Sequence, residues 1–250
     1  MSTIILQNIS TVETRTIRTA AMLLDNMHVV NSSLDQLSTH IQLLNDGALP
    51  VGSVEFVREA MNLLNIVEPP NLSYPDKLTN FLGRTIKQQQ IKDITGRWFV
   101  KPTTTKLFNG FIYDSSQNSS ILDEHDLEQY TIFKSLPPTT LVWVSEPVRW
   151  LAEWRYYVAY NGIVGKGRYD TTGADDAPEP NIHVVRECIK LLDLPYPYAI
   201  DVGVLTTGET VLVEVNDAWA IGLYQKAMAP RDYLYFLRTR WRMLIDQRVN

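Results

Sequence analysis

The fold of the chain is decided by residues 198–219, YAIDVGVLTTGETVLVEVNDAW, which predict a β-hairpin that carries metal-ligating side chains. Residues 198–205 and 209–215 are rich in valine and leucine, which are common in strands. Residues 206–208, two threonines and a glycine, lie between them and are typical of a tight turn. We therefore predict two antiparallel strands joined by this turn.

Three oxygen-bearing side chains are expected to meet on one face of this hairpin. Side chains alternate between the faces of a strand, so Glu214 and Asn216 share one face, while Val213 and Val215 point into a core. Pairing across the turn brings Asp201 to the same end of the second strand. Two carboxylates and an amide oxygen suit Mg²⁺, which binds substrate phosphates through one or two protein carboxylates. The alternative is a polar strand face whose charges are unrelated.

Length, composition and charge describe an ordinary globular protein. A chain of 250 residues with 45% hydrophobic content can bury a substantial core, as one large domain or as two packed lobes. The formal net charge of −5 argues against general nucleic-acid binding. No apolar run approaches the roughly 20 residues that span a bilayer, so we predict no membrane segment and a cytoplasmic location. The oligomeric state stays open, and a homodimer is one of the states that the sequence allows.

The first part of the chain predicts a small α/β lobe. Strand-like and helix-like segments alternate there, with strands at 3–9 and 27–31 and helices at 11–26 and 32–47. Pro50 and Gly52 predict a turn, and Ser53 is placed to cap a third helix. A proline-rich connector at 68–75 ends this lobe. We therefore predict two domains, an N-terminal lobe at 1–75 and a larger domain at 76–250.

The segment after the connector predicts a helix and then two strands. Residues 76–91 are expected to be helical, with Lys77 in the first turn. Strands at 98–101 and 107–113 follow, and Lys101 ends the first of them just before a threonine-rich turn. A lysine at such a place can act as a point charge beside phosphates, although spacing alone does not establish this role.

A charged sheet surface is predicted further along the chain. Three apolar runs predict strands at 141–144, 153–160 and 163–169, the last two joined through an Asn-Gly turn. Glu153 and Arg155 share one strand face, as Lys166 and Arg168 do on the next strand, so all four are expected to line a single surface. Cross-strand salt bridging is one explanation of this pattern, and a triphosphate site is the other.

Two helices are predicted on either side of the hairpin. Residues 181–194 follow an acidic loop and have helical spacing, and a last helix begins at Pro230. The aromatic side chains of the last helix recur at helical spacing, so we expect them to pack onto a sheet.

Between residues 76 and 224, several motifs in order resemble those of the ATP-grasp superfamily, specifically its RimK-like clade of carboxylate-amine ligases, including small forms from bacteria and bacteriophages. DKLTNFL is similar to the first lysine motif, WFVKP to the second, and LVWVSEP to the hinge strand. LAEWRYYV is similar to the ribose-binding strand, and AIDVGV with VLVEVND to the metal-binding hairpin. The resemblance implies an α/β (α+β) fold in which two α+β lobes sandwich ATP, preceded by a small N-terminal α/β segment.

The resemblance also implies roles for individual residues. The lysines would contact the phosphates of ATP, the hinge would hold adenine, and a glutamate would accept from the ribose hydroxyls; the residues concerned are Lys77, Lys101, Trp143, Val144, Ser145, Glu146 and Glu153. Two Mg²⁺ ions would be held by Asp201, Glu214 and Asn216. Catalytic contacts to phosphate or acyl phosphate are implied for Arg155, Lys166 and Arg168, without fixing which of them serves.

The implied activity is an ATP- and Mg²⁺-dependent ligase that joins a carboxylate donor to an amine acceptor through an acyl phosphate and releases ADP and phosphate. The acceptor is an amino acid, a peptide or a protein side chain, and residues 50–53 and Arg149 are candidates for substrate contacts. The loops at 103–110 and 171–180 are candidates for closing over ATP. Two alternatives remain: a small-molecule kinase on the same fold, and a non-catalytic ATP-binding interaction protein.

Overall fold

The computed structural model describes residues 2–104, 107–116, 123–170 and 176–248. These residues form three β-sheets with helices packed against them. The candidate loops at 103–110 and 171–180 fall partly outside the described residues, so their closing role stays a prediction.

The first sheet is parallel and belongs to the N-terminal lobe. Its order is β2-β1-β3, with β1 at Ser2–Gln7, β2 at Met27–Ser32 and β3 at Leu49–Val51. Helix α1, Val12–Leu23, begins in a capping box in which Thr11 accepts from the backbone of Thr14, and α3, Val54–Leu63, begins at the predicted cap Ser53. Burial of Ile4, Ile5 and Leu6 between these helices fixes the sheet.

Two predictions for this lobe are wrong in detail. Residues 32–47 form no single helix: the structure has a 3-10 turn at Leu37–His40 and then a short α2 at Ile41–Asn45. The hydroxyl of Thr39 bonds the carbonyl of Gln36 over 2.8 Å, a local bond that competes with regular helix. Pro50 lies in β3 rather than in a turn, which an edge strand tolerates because one side of it needs no N–H donor.

The second sheet is antiparallel and has the order β4-β7-β5-β6. Its strands are β4 at Ile86–Gln90, β5 at Arg97–Pro102, β6 at Phe111–Asp114 and β7 at Leu141–Ser145. Helix α4, Glu124–Ser135, covers one face, where Phe133 packs against Phe108 and Phe111. The opposite face carries Phe99 and Lys101 of β5 and looks into a cavity.

The prediction of a helix over 76–91 is wrong. The structure has a 3-10 helix at Asp76–Phe81, and the chain then turns into β4, which pairs with β7. Gly83 makes the turn with φ of +61°, a left-handed conformation that ends a helix. A side chain there would also meet Val211 at 2.5 Å. The chain therefore leaves its helical path close to the third sheet.

The third sheet is antiparallel, with the order β11-β10-β8-β9. Its strands are β8 at Trp150–Ala159, β9 at Gly162–Arg168, β10 at Tyr198–Leu205 and β11 at Thr210–Asp217. Helix α5, Ile182–Leu192, packs on one face over Ile200, Val202 and Leu212. The predicted hairpin is therefore confirmed as β10 and β11, and its other face is left for a site.

The last helix, α6 at Pro230–Asp246, joins the third sheet to the N-terminal lobe. Phe236 meets Tyr157 of β8 edge to face, and the indole N–H of Trp241 donates to the carbonyl of Ala48 over 2.9 Å. The expectation that its aromatic side chains pack onto a sheet is confirmed. Because α6 completes the core of the first lobe, the domain boundary after residue 75 stays a prediction. Within the described part of the chain, no helix is both long and apolar enough to cross a membrane.

Candidate active site

A cavity of about 800 Å³ lies between the second and third sheets and reaches the N-terminal lobe. This volume is near the upper end of the range for small-molecule sites, about 300–1,000 Å³. The second sheet contributes Phe99 and Lys101, and the third contributes Glu153, Arg155 and the end of β11. Two sheets therefore face each other across a cleft.

The predicted oxygen ligands meet on the cavity face of the hairpin. Asp201 of β10 lies directly opposite Glu214 of β11 in the sheet register. The amide nitrogen of Asn216 lies 2.9 Å from Glu214 Oε1 and 3.3 Å from Asp201 Oδ2. Rotation of that amide would present its oxygen instead, so the three side chains fit a Mg²⁺ ion as an all-oxygen donor set.

Two cations neutralise these carboxylates. Arg155 of β8 forms a bidentate pair with Asp201, with N–O distances of 2.7 and 2.6 Å, and both side chains are almost fully buried. Lys101 reaches across the cleft from β5 and bonds Glu214 Oε2. Burial lowers the pKa of Lys101 to about 8, although the charge of Asp201 acts in the opposite direction. Burial also opposes the charge of Arg155, but the attraction of Asp201 prevails and raises its pKa.

Two tyrosines and a glycine hold Arg155 in place. The guanidinium carbon lies 5.0 Å from the ring centre of Tyr224 and 5.9 Å from that of Tyr169, and the two rings stack 4.8 Å apart. Gly167 of β9 lies opposite Arg155 in the register, and a Cβ there would be 3.0 Å from the Cβ of Tyr224. The missing side chain thus lets Tyr224 approach the sheet.

A third polar group, Arg84, lies at the other end of the cavity. Its guanidinium donates to the carbonyls of Leu212 and Val213 over 2.9 and 3.2 Å and lies 5.4 Å from the ring centre of Trp150. Glu153 lines the same end, where burial and then the charge of Asp201 raise its pKa to about 7. This end therefore combines aromatic surface with one fixed cation and one readily protonated carboxyl.

The predicted hinge reaches the cavity only in its second half. Ser145 and Glu146 line the cavity, and Glu146 accepts from the backbone of Thr85 over 2.8 Å. Trp143 and Val144 do not line it, because β7 pairs with β4 on one side and β5 on the other, which occupies their backbone groups. A nucleotide base in this cleft would meet the end of β7 rather than its middle.

The expectation that Lys166 and Arg168 share the surface of Arg155 is wrong. Lys166 lies opposite Tyr156, and Arg168 lies opposite Trp154, on the face of the sheet that packs under α5. There Lys166 bonds Glu179 over 2.6 Å, and Arg168 bonds Asp170 over 2.6 Å. The cause is the register: the turn places Tyr160 and Asn161, rather than Asn161 and Gly162, in the left-handed conformation, and an irregularity follows at Tyr157.

Other predicted contacts also lie away from the cavity. Lys77 is exposed, because its 3-10 helix turns Leu78 into the core under α5. Arg149 is exposed as well, and of the region around 50–53 only the following residue, Val54, lines the cavity. The remaining predicted residues, Lys101, Ser145, Glu146, Glu153, Arg155, Glu214 and Asn216, line it, and Asp201 bonds two of them.

Sequence reasoning missed Arg84, Tyr169 and Tyr224. Arg84 directly follows Gly83, and that glycine was a signal that the predicted helix had ended. The two tyrosines had no local signal, since they meet only when the segment after β11 folds over β9.

A small α/β lobe, followed by two antiparallel sheets that face each other across a polar cleft, defines a nucleotide-dependent enzyme of the ATP-grasp fold. Residues 81–235 match an ATP-grasp domain family, the second family of its clade. The chain belongs to this family and is an ATP-grasp enzyme of the ligase type, a group that uses ATP.

Solved structures share this fold. A D-alanine–D-alanine ligase from Bacillus anthracis, complexed with ATP, has a TM-score of 0.56 at 14% identity, with 98% of each chain covered. An N5-carboxyaminoimidazole synthetase from Staphylococcus aureus, complexed with ADP, has a TM-score of 0.55 at 8% identity, covering 95% of this chain and 77% of that one. An L-amino acid ligase from Bacillus licheniformis has a TM-score of 0.52 at 10% identity, covering 99% and 74%. No curated protein matches the chain.

Proposed function

We propose that this protein is an ATP- and Mg²⁺-dependent carboxylate-amine ligase that forms an amide or peptide-like bond through an acyl phosphate. One observation carries this proposal. Asp201, Glu214 and Asn216 meet Lys101 and Arg155 at a single point of the cavity, with carboxylates and cations in direct contact. Phosphoryl transfer requires mainly such positioning and charge neutralisation.

The proposed roles follow from the side-chain contacts. Asp201, Glu214 and Asn216 would hold up to two Mg²⁺ ions, which neutralise charge on the transferred phosphoryl group when bound. Lys101 and Arg155 are the phosphate contacts, because each has its charged end at the ligand cluster. Ser145 and Glu146 are assigned to the base, and Glu153 to the ribose hydroxyls. Lys77, Trp143, Val144, Lys166 and Arg168 receive no ligand contact in this proposal.

In the proposed reaction, a substrate carboxylate takes the terminal phosphoryl group of ATP and ADP leaves. An amine then attacks the acyl carbon, phosphate departs, and the amine loses a proton. Burial of Lys101 and Arg155 strengthens their attraction for the developing negative charge, because less water screens it. The similarity in motif order to RimK-like ligases of bacteria and phages supports the choice of carboxylate and amine as substrates.

The test is the release of ADP and phosphate from Mg·ATP, with pools of carboxylates and amines added together and separately. We expect release that depends on the pools in the wild type and is lost in Glu214→Ala. Glu209→Ala is the matched control, since this glutamate lies on the exposed turn of the same hairpin. Retained activity in Glu214→Ala would contradict the proposal.

The ratio of products separates a ligase from a kinase. A ligase releases ADP and free phosphate in equal amounts and needs the amine, whereas a kinase leaves the phosphate on its product. Tight binding of Mg·ATP without turnover in any pool would instead favour a non-catalytic binding protein.

A further inference from the structure

Beyond Asn216, the cavity ends against the indole of Trp219. Its backbone N–H donates to Asp217 Oδ1 over 3.0 Å, which fixes the short 3-10 turn at Ala218–Ala220. Its ring lies 5.9 Å from the guanidinium carbon of Arg58 on α3. Trp219 is therefore held from two sides, although it follows directly on the predicted metal ligands.

The charged groups around this wall already have partners. Both carboxylate oxygens of Asp217 accept from Arg240 of α6, over 2.8 and 2.6 Å, and each side chain of this pair is about 5% exposed. Arg58 forms a bidentate pair with Glu68, over 2.7 and 3.2 Å. Neither pair can offer a charge to a ligand without giving up a bonded partner, which costs free energy in a buried place.

The other side chains near Trp219 are mainly apolar. Val54 lies one helical turn before Arg58, and Pro69 and Pro70 follow Glu68, so they surround the indole together with Ala220 and Ile221. Asn71 is the polar exception. A charged side chain that entered this end would lose water without finding a countercharge, whereas an apolar one would gain free energy from burial.

We propose that Trp219 is a specificity-determining residue, and that it selects a substrate whose side chain is uncharged and apolar. This inference rests on the proposed ligase function, because it assigns Trp219 to the non-nucleotide end of the same cavity. The wall also limits length: the paired side chains that hold the indole leave it no simple direction in which to retreat.

The experiment compares ADP release with single amino acids and dipeptides as probes, paired so that members have similar size but different charge, such as leucine with aspartate and methionine with lysine. In the wild type we expect kcat/KM to be higher for the apolar member of each pair. In Trp219→Ala we expect kcat/KM for the preferred probe to fall by on the order of 10-fold, and longer apolar probes to be accepted. KM for ATP should stay unchanged.

Two further variants separate this role from a structural one. Trp219→Phe keeps an aromatic wall and should keep the preference, which also covers the case in which Trp219→Ala fails to fold. Trp150→Ala is the matched control at the opposite end of the cavity, where the indole contacts Arg84. It should raise KM for ATP and leave the order of preferred probes unchanged.

The outcomes distinguish the two proposals. Substrate-dependent ADP release with the same order of preference and the same length limit in Trp219→Ala overturns the role of Trp219 and leaves the ligase standing. A wild-type preference for charged probes does the same. Absence of substrate-dependent release from the wild type overturns both.

Discussion

The buried pair of Arg155 and Asp201 makes a strong prediction about stability. In Arg155→Met the carboxylate of Asp201, which is 1% exposed, loses both of its N–H···O bonds from the guanidinium. Removing one partner of a buried pair costs about 3–5 kcal/mol, because a charge remains buried without its partner. For a chain of this size about 1 kcal/mol corresponds to about 2–4 °C, so we expect Tm to fall by roughly 6–20 °C.

Thermal and urea unfolding followed by circular dichroism would measure this loss. Arg231→Met is the control, because Arg231 and Asp232 form an exposed pair with an N–O distance of 3.8 Å, and such pairs contribute at most about 1 kcal/mol. The double variant Arg155→Met/Asp201→Asn should recover stability, since it leaves no buried charge. Mg²⁺ should raise the Tm of Arg155→Met more than that of the wild type. A loss in Arg155→Met no larger than in Arg231→Met would refute this reasoning.

Three further predictions concern the packing and protonation of the same region. Gly167→Ala should destabilise the protein by about 1–3 kcal/mol in urea unfolding, because its Cβ would be 3.0 Å from that of Tyr224; an unchanged midpoint would contradict the contact. Trp241→Phe should cost about 1–3 kcal/mol by thermal unfolding, since the carbonyl of Ala48 loses its indole donor; a neutral effect would mean that water replaces the donor. Because the pKa of Glu153 is raised from 4.5 to about 7, its contribution to stability is complete below pH 4.5 and is lost as pH rises through 7. Unfolding free energies measured across this range should show a weaker pH dependence in Glu153→Gln; an identical dependence would contradict the shift.

Local sequence determined the metal-ligand face. The alternation along β11 and the glycine turn at Gly208, with φ of +86°, fix which side chains share a face and where Asp201 pairs. Both signals act over a few residues, so they can be read without knowing the rest of the fold. The order of motifs along the chain likewise indicated the ATP-grasp fold.

The register between β8 and β9 could not be obtained in this way. The prediction placed Arg168 beside Arg155, but a shift of the turn by one residue and one irregularity leave Gly167 there instead. A one-residue slip moves every side chain to the other face of a strand. Which register is chosen depends on burial under α5 and on the segment at Tyr224, which are distant in sequence.

The sequence by itself therefore determined the hairpin, the identity of the oxygen ligands and the family resemblance, because these follow from short-range alternation and turn residues. Only the tertiary structure decided which cations serve the site. Lys101 meets Glu214 from another sheet, and Arg84 reaches the carbonyl of Leu212, a residue 128 positions away. Contacts at that separation form only when whole sheets pack, so side-chain spacing along the chain carries no information about them.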